Sequence, residues 1–109
     1  MELKLDKDGI FTVVNITGRI DTTNFNEFEK EIGVILDQGE TNIVLDCENL
    51  NYISSSGLRV FLIAQKRIMA VRGKLHLCAM QPTIKEIFDI SGFSTIFKIF
   101  ASKAEALEA

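Results

Sequence analysis

The middle of the chain holds the feature that most constrains the fold: a strand pattern, a helix pattern and a second strand pattern in direct succession. Residues 42–46 have an unbroken apolar centre, which is typical of a strand buried on both faces. Residues 56–72 show helical spacing that stops at Gly73, and apolar and polar residues then alternate over 75–79. Because this order forms a right-handed crossover between parallel strands, we expect an α/β fold with 42–46 as a central strand.

The rest of the chain adds a hairpin, further helices and one more strand. Residues 2–7 and 10–18 alternate as two strands joined at Asp8-Gly9, and the second strand is apolar on both faces, so we expect it to be covered on both sides. A first helix is predicted after the N-cap candidates Thr22, Thr23 and Asn24, and it stops at Gly39. A third helix is predicted from Pro82 to Ser91-Gly92, followed by a last strand at 96–100. The capping box 102–105 then opens a terminal helix that runs through Leu107.

These elements predict one α/β domain over residues 1–109, a small mixed sheet of about four to five strands packed with about four helices.

Composition excludes several functions for such a domain. With 12 Lys and Arg against 15 Asp and Glu, the net charge of −3 lacks the basic field that drives nucleic-acid binding. No stretch approaches the roughly 20 apolar residues of a membrane span. The first nine residues resemble neither a signal nor a transit peptide, so a cytoplasmic location is expected.

Enzyme and metal signatures are mostly missing from the sequence. It has no glycine-rich phosphate loop and no nucleophile elbow, and its one histidine, His76, lies in the middle of a predicted strand. Cys47 and Cys78 are interpreted as free thiols in a reducing compartment; with His76 they lack zinc-site spacing, so neither metal nor cofactor is expected. Asp46 is interpreted as a loop-facing carboxylate. A small enzyme that uses Asp46 or a serine hydroxyl is an alternative, for which the sequence supplies neither a base nor a cofactor motif.

Three consecutive serines, 54–56, stand where the second helix must begin. One serine is enough to cap a helix, since its oxygen accepts one of the unpaired backbone N–H groups. At least one further hydroxyl is then free beside the positive end of the helix, which favours a negative charge placed there. A phosphate group on one of these serines is the modification that the pattern suggests.

The helix after the serines has an unusually wide apolar arc. Its apolar residues between 58 and 71 spread over roughly 200°, against the stripe of about 100° that one core face needs, and much of that width is expected to be core. Ile63 and Ala70 fall inside the polar arc that Arg59, Lys66 and Arg67 mark. An apolar spot within a basic rim, next to the serine run, indicates a surface for a protein partner.

Four segments of the chain resemble the anti-sigma factor antagonists, the founding members of the STAS domain family. They are residues 18–21 (GRID), 43–46 (IVLD), 50–60 (LNYISSSGLRV) and 84–93 (IKEIFDISGF). The resemblance covers nearly the whole chain, which favours a free-standing antagonist over a STAS module attached to a transporter.

The resemblance also assigns roles to residues. The family usually has Asp-Ser-Ser/Thr-Gly-Leu at the switch and is phosphorylated on the first hydroxyl after the Asp, which corresponds to Ser55 when the motif is aligned on Gly57-Leu58. Ser56 matches the second hydroxyl, Ser54 stands where the Asp often is, and both are secondary candidates for phosphorylation. The acidic residue that the family has near the switch is matched by Asp21. The residues predicted to bind a partner are Asp21, Ser54, Ser56, Gly57, Leu58, Arg59, Ile63 and Lys66.

The family's function would then be a partner-switching cycle. The unphosphorylated antagonist, which is not itself an enzyme, binds an anti-sigma factor that is also a serine protein kinase, and a sigma factor is released. Phosphorylation from ATP breaks the complex, and a PP2C-type phosphatase resets it. The antagonist itself is expected to be a monomer or a weak dimer. The alternative is a STAS interaction subunit of a lipid-transport or stress-signalling assembly that has no kinase switch.

Overall fold

The computed structural model describes residues 1 to 109. It contains six strands, four α-helices and one 3₁₀ turn. In chain order they are β1 (Glu2–Asp8), β2 (Phe11–Ile20), α1 (Phe25–Asp37), β3 (Asn42–Asp46), β4 (Leu50–Ile53), α2 (Ser55–Ala70), β5 (Lys74–Cys78), α3 (Pro82–Ile90), the 3₁₀ turn (Phe93–Thr95), β6 (Lys98–Phe100) and α4 (Lys103–Glu108).

The strands form one mixed sheet in the order β1-β2-β3-β5-β6, with β4 paired to β2. The hairpin of β1 and β2 is antiparallel, and every other neighbouring pair is parallel. β3 lies at the centre, and the chain from β3 through α2 returns to the adjacent strand β5. The predicted α/β class, the central strand and the parallel connection from β3 to β5 are therefore confirmed.

The strand β4 was not predicted and extends the sheet beyond the end of β3. β2 continues to Ile20, whereas its pairing with β3 ends at Asn15, so the last residues of β2 pair with β4 instead. The register shifts between Gly18 and Arg19, where Gly18 has φ +98°, a conformation that a glycine adopts without strain. Within β4, buried residues stand at the two ends and exposed residues in the middle, so the strand has no alternation to reveal it.

Two cores cover the two faces of the sheet. The larger one packs α1, α2 and α3 against one face, with Phe28, Phe61 and Phe88 fully buried. The smaller one, on the opposite face of β2, contains Phe11 and Val13 and is closed by Ala106 of α4. The prediction that β2 is covered on both sides is thus confirmed.

Several element ends differ from the predictions. Ile10, predicted in the second strand, lies in the hairpin turn and is 63% exposed. The last strand begins at Lys98 rather than residue 96, because the 3₁₀ turn and the bend after it take up the preceding residues. At the end of α2, Met69 and Val71 are exposed, so the core takes a narrower part of the apolar arc than expected.

The histidine and the cysteines are buried parts of the sheet. His76 lies between the rings of Phe11 and Phe100, and its Nδ1 donates to the carbonyl oxygen of Ala106 at 2.8 Å, which ties α4 to the sheet. Cys47 and Cys78 are both buried and unpaired. Burial is the main cause that raises the pKa of both thiols, that of Cys78 to about 12.

None of the helices is long and apolar enough to span a membrane.

Candidate functional site

The first of the three serines is the helix cap. Ser54 has extended backbone dihedrals, and its Oγ accepts a hydrogen bond from the backbone N–H of Gly57 at 3.2 Å. Its own N–H donates to the carbonyl oxygen of Ile20 at 2.9 Å, so the start of α2 is fastened to the end of β2. Ser54 is only 8% exposed, because both its side chain and its backbone are used within the fold.

The other two serines differ in exposure. Ser55 is the first residue of α2 and is exposed, whereas Ser56 is half-buried. Because Ser54 already supplies the cap, the hydroxyl of Ser55 is not needed by the helix. Of the three hydroxyls, only that of Ser55 belongs to an exposed residue with no hydrogen bond inside the chain.

Gly57 and Leu58 lie inside the fold. A Cβ atom on Gly57 would come within 2.8 Å of side-chain carbons of both Ile20 and Ile53, so the close packing of α2 on β2 and β4 requires glycine here. Leu58 is 8% exposed and belongs to the larger core. The structure therefore does not present these two residues on the surface. Their part in partner binding stays a prediction, and it would act through the position of the helix.

The exposed side of α2 is basic and partly apolar. At 100° per residue, Ser55, Arg59 and Lys66 fall within about 40° of one another, and all three are exposed. Ile63, about 40° further round the helix, is half-buried rather than fully exposed. The helix contains no acidic residue. We call Ser55, Arg59, Ile63 and Lys66 the α2 stripe.

The cations of α2 differ in their partners. Arg67 forms an ion pair with Asp37 of α1 at 2.6 Å. Arg59 and Lys66 form no ion pair with any carboxylate of the chain. The α2 stripe therefore carries two unpaired positive charges beside Ser55 in a chain whose net charge is negative.

Asp21 lies in a rigid loop directly after β2. Its Oδ1 accepts hydrogen bonds from the backbone N–H and the hydroxyl of Thr23, and its Oδ2 pairs with Nε of Arg19 at 3.0 Å. These contacts, those from Thr23 first, lower the pKa of Asp21 to about 2. The carboxylate of Asp21 is thus charged at neutral pH and held in one orientation.

Asn24 braces the same loop. It was predicted as a candidate helix cap, and it is the N-cap residue of α1, but its side chain makes no capping hydrogen bond. Its Oδ1 instead accepts from the N–H of Asp21 at 2.8 Å, and its Nδ2 donates to the carbonyl oxygen of Arg19 at 2.9 Å. Because Ile20 binds Ser54, this loop and the start of α2 lie at the same end of the sheet.

Arg19 and Tyr52 were not predicted from the sequence as site residues. They are cross-strand partners in β2 and β4, and the guanidinium carbon of Arg19 lies 4.6 Å from the ring centroid of Tyr52. Tyr52 is 41% exposed. Arginine and tyrosine are among the residue types that most often dominate protein interfaces. These two residues could have been identified only by predicting β4, since the pairing of β4 with β2 is what places them together.

Asp46, interpreted from the sequence as a loop-facing carboxylate, does contact the turn after β3, but it is buried. It is 5% exposed, Asn15 Nδ2 donates to its Oδ2 at 3.1 Å, and the N–H of Glu48 donates to its Oδ1. Its role here is to join β2, β3 and the turn after β3.

The chain matches the STAS domain family over residues 3–106, and it belongs to that family. Among curated proteins it is similar to BtrV of Bordetella bronchiseptica, described as an anti-sigma factor antagonist, with 38% identity over 109 residues that cover 100% of this chain and 94% of that protein. The match extends from β1 to α4 and so includes the whole site.

Solved structures share the fold. A crystal structure from Thermotoga maritima, described as an anti-sigma factor antagonist, superimposes with a TM-score of 0.93 at 20% identity and covers 97% of this chain and 92% of that one. The Bacillus cell fate determinant SpoIIAA in its phosphorylated form gives a TM-score of 0.74 at 25% identity, with 98% and 97% covered. The six-stranded sheet with its four helices is therefore a STAS domain.

Proposed function

We propose that this protein is an anti-sigma factor antagonist controlled by phosphorylation of Ser55. In its unphosphorylated form it binds an anti-sigma factor that is also a serine kinase, and a sigma factor is thereby released in the cytoplasm. The observation that carries the proposal is that Ser55 is exposed and unused at the start of α2, while Ser54 supplies the cap. The relatives described as antagonists support the assignment of the partner class.

The geometry of the cap supports Ser55 over its two neighbours. Phosphorylation of Ser54 would convert the Oγ that accepts from Gly57 into a phosphate-ester oxygen, which is a weaker acceptor, and would place a charge in a buried position. Ser56 is half-buried, so a kinase has poorer access to its hydroxyl. A phosphate on Ser55 lies at the positive end of the helix dipole, where a negative charge is tolerated, and the fold can stay unchanged.

The partner surface proposed here is the α2 stripe together with the loop of Asp21 and the exposed pair of Arg19 and Tyr52. A phosphoserine adds a charge of about −1.5 to −2, which is enough to cancel the two unpaired cations of the stripe. A partner surface that complements the cations of the stripe is acidic, and such a surface would be repelled once Ser55 is phosphorylated. Ser56 contributes at the edge of the same surface.

The covalent step needs no catalytic group of this chain. The Oγ of Ser55 forms a bond to the γ-phosphorus of ATP, ADP leaves, and the hydroxyl proton passes to the kinase or to water. A phosphatase of the PP2C type reverses the modification by hydrolysis, with release of inorganic phosphate. The antagonist supplies an accessible hydroxyl and a binding surface, so no cofactor or metal is needed on it.

Phosphorylation by the cognate anti-sigma kinase tests this proposal. The protein is incubated with ATP and the kinase, and the tryptic peptide 31–59, which contains all three serines, is mapped by mass spectrometry. One phosphate on Ser55 is expected, which Ser55→Ala abolishes and the matched variant Ser56→Ala leaves in place. No phosphate, or phosphate confined to Ser54 or Ser56, would contradict the proposal. Stable binding without phosphorylation would favour a STAS interaction subunit with no kinase switch.

A further inference from the structure

The strand β1 forms an open edge of the sheet. It pairs with β2 over seven consecutive residues from Glu2 to Asp8 without a bulge, and no strand lies on its other side. The opposite edge is different, since β6 has only three residues. Natural proteins protect edges with short strands, prolines, bulges or charged side chains, because an open edge can pair with another chain. β6 is short. β1 is long and has neither a proline nor a bulge, so its only protection is the charge of five of its seven residues, and a partner strand must match those charges.

The hairpin determines which backbone groups of β1 point outward. Asp8 and Phe11 close a two-residue turn, so they are a hydrogen-bonded pair, and the same alternation makes Asp6, Lys4 and Glu2 bond to β2. The N–H and C=O groups of Leu3, Leu5 and Lys7 then point away from the sheet. An antiparallel second strand centred on Leu5 would pair all three residues and form six backbone hydrogen bonds.

Exposed apolar side chains line the same edge. Leu5 is 53% exposed, and Val34 of α1 is 49% exposed. Together with Leu3 and Ile35 they form the apolar part of a groove of about 420 Å³ between β1 and α1. A partner strand on β1 would extend the floor of this groove and cover Leu5.

We propose that β1 is a self-association surface, on which β1 of a second copy of this chain pairs antiparallel about a two-fold axis at Leu5. Charge complementarity between the two β1 strands favours a second copy of this chain as the partner. With this register Lys4 of each copy faces Asp6 of the other, which gives two pairs of opposite charge on one face of the joined sheet.

The ends of the interface are less favourable. Glu2 and Asp8 face each other there, but they are exposed, so water and salt screen their repulsion. On the groove face, Leu3 faces Lys7. The ammonium group of Lys7 already binds Glu40 and Thr12 within its own chain, so it can keep these partners in the dimer. These costs predict a weak dimer.

The dimer surface is separate from the proposed switch. β1 pairs with β2 between Phe11 and Thr17, whereas Ser54 is fastened to Ile20 on the other side of Gly18. A dimer through β1 therefore leaves the α2 stripe of each copy free. Ser55→Asp is expected to leave the monomer–dimer equilibrium unchanged, so this inference can fail or succeed independently of the proposed function.

Sedimentation velocity from about 10 μM to about 1 mM tests the proposal, because an interface of small area dissociates in this range. The wild-type protein is expected to shift from monomer to dimer as its concentration rises. Lys4→Asp, which places one carboxylate opposite Asp6 in each of the two pairs, is expected to weaken the dimer about tenfold. The double variant Lys4→Asp/Asp6→Lys restores the opposite charges and is expected to recover the dimer.

A monomer throughout this range would overturn the proposal, as would a dimer that is insensitive to Lys4→Asp. Rescue of Lys4→Asp by Glu2→Lys in place of Asp6→Lys would overturn the register, because it would centre the pairing on Leu3. Circular dichroism of each variant shows whether it is folded, and the exposed position of Lys4 makes that the expected result.

Disulfide formation gives a second test that does not depend on charge. Leu5→Cys places a thiol at the two-fold axis, where paired Cα atoms about 5.5 Å apart allow a disulfide. Ile10→Cys is the matched control, since this residue is at least as exposed but lies in the hairpin turn. Buried Cys47 and Cys78 do not compete. Oxidation is expected to link Leu5→Cys into a covalent dimer much faster than Ile10→Cys. Equal rates would contradict the proposed axis.

Discussion

Two helices of this protein begin in the same way but carry different surfaces behind the cap. At α2, Ser54 accepts a hydrogen bond from the N–H of Gly57, and at α4, Ser102 accepts one from the N–H of Glu105, both at 3.2 Å. The first helical residue is exposed in each case, Ser55 in α2 and Lys103 in α4. Capping geometry alone therefore does not distinguish the proposed regulatory start of α2 from the structural start of α4.

The length and charge of the two helices make the difference. α2 has sixteen residues, no acidic side chain, and two cations without a carboxylate partner. α4 has six residues, carries Glu105 in its first turn, and serves mainly to cover the smaller core with Ala106. A phosphate at the start of α2 changes the charge of a long exposed stripe, whereas α4 offers no such stripe. Matched substitutions in the two helices therefore test whether the start of α2 differs from the start of α4 in partner binding.

The largest effect is expected from a carboxylate at the first residue of each helix. Ser55→Asp should weaken binding to the anti-sigma kinase by about a hundredfold, because the charge is added beside the α2 stripe at the proposed interface. Lys103→Asp places a carboxylate at the same position in α4 and should leave binding within a factor of about two, the range of most surface substitutions. Isothermal titration calorimetry measures both. Equal losses for the two variants would show that overall charge matters and position does not.

A methyl group at the third residue of α2 should destabilise the fold. Gly57→Ala brings a Cβ within 2.8 Å of Ile20 and Ile53, and such overpacking costs about 1–3 kcal/mol of unfolding free energy. Gly33→Ala in α1 is the control, because open space surrounds that position and alanine is favoured in a helix by up to about 1 kcal/mol. Urea denaturation should show opposite signs. Stabilisation by Gly57→Ala would refute the packing described for α2.

Removal of each cap should have a smaller effect. Ser54→Ala and Ser102→Ala each lose a hydrogen bond to a backbone N–H, at about 1 kcal/mol of unfolding free energy. The loss should be greater for Ser54→Ala, because that serine is buried and water cannot replace its oxygen as easily. Denaturant midpoints of the two variants measure the difference. A larger loss at Ser102 would reverse the order that burial predicts.

The smallest effect concerns the pH dependence of the loop at Asp21. The pKa of this carboxyl group is lowered to about 2 in the folded protein, below its ordinary value of 3.8. The contribution of Asp21 to stability is therefore present above about pH 4 and is lost as the pH falls towards 2.

An NMR titration of the Asp21 carboxyl carbon measures this pKa. Thr23→Val should raise the midpoint more than Arg19→Gln, because the hydrogen bonds from Thr23 are the larger cause of the shift. The opposite order would assign the shift to the ion pair.

The sequence predicted the class of fold, the central strand, the crossover and most helix ends, because these depend on apolar periodicity and on local caps. Pro82, Gly92 and Ser102 each mark a boundary that the structure confirms. The strand β4 could not be predicted in this way. It has four residues and no alternation, and it exists because β2 extends past β3 and needs a hydrogen-bonding partner there.

The site was predicted only in part, because some of its residues are marked by local sequence and others are brought together only by tertiary contacts. The serine run and the basic side of α2 derive from local sequence, and Asp21 from the resemblance to the family. Arg19 and Tyr52 meet only through the pairing of β2 with β4, which is a tertiary contact. The sequence also could not show that Leu58 faces the core while Met69 faces solvent. The helix α2 is apolar on more than one side, and its buried face is selected only by its packing against α1 and the sheet.

We propose that a phosphate on Ser55 switches partner binding without changing the fold. The most direct measurement compares protein that carries phosphoserine at position 55 with unmodified protein, by heteronuclear NMR and by titration with the anti-sigma kinase in the same buffer. We predict chemical-shift changes confined to the start of α2 and the loop of Asp21, together with loss of binding. Retained affinity, or loss of binding accompanied by spectral changes throughout the sheet, would show that phosphorylation of Ser55 is not such a switch.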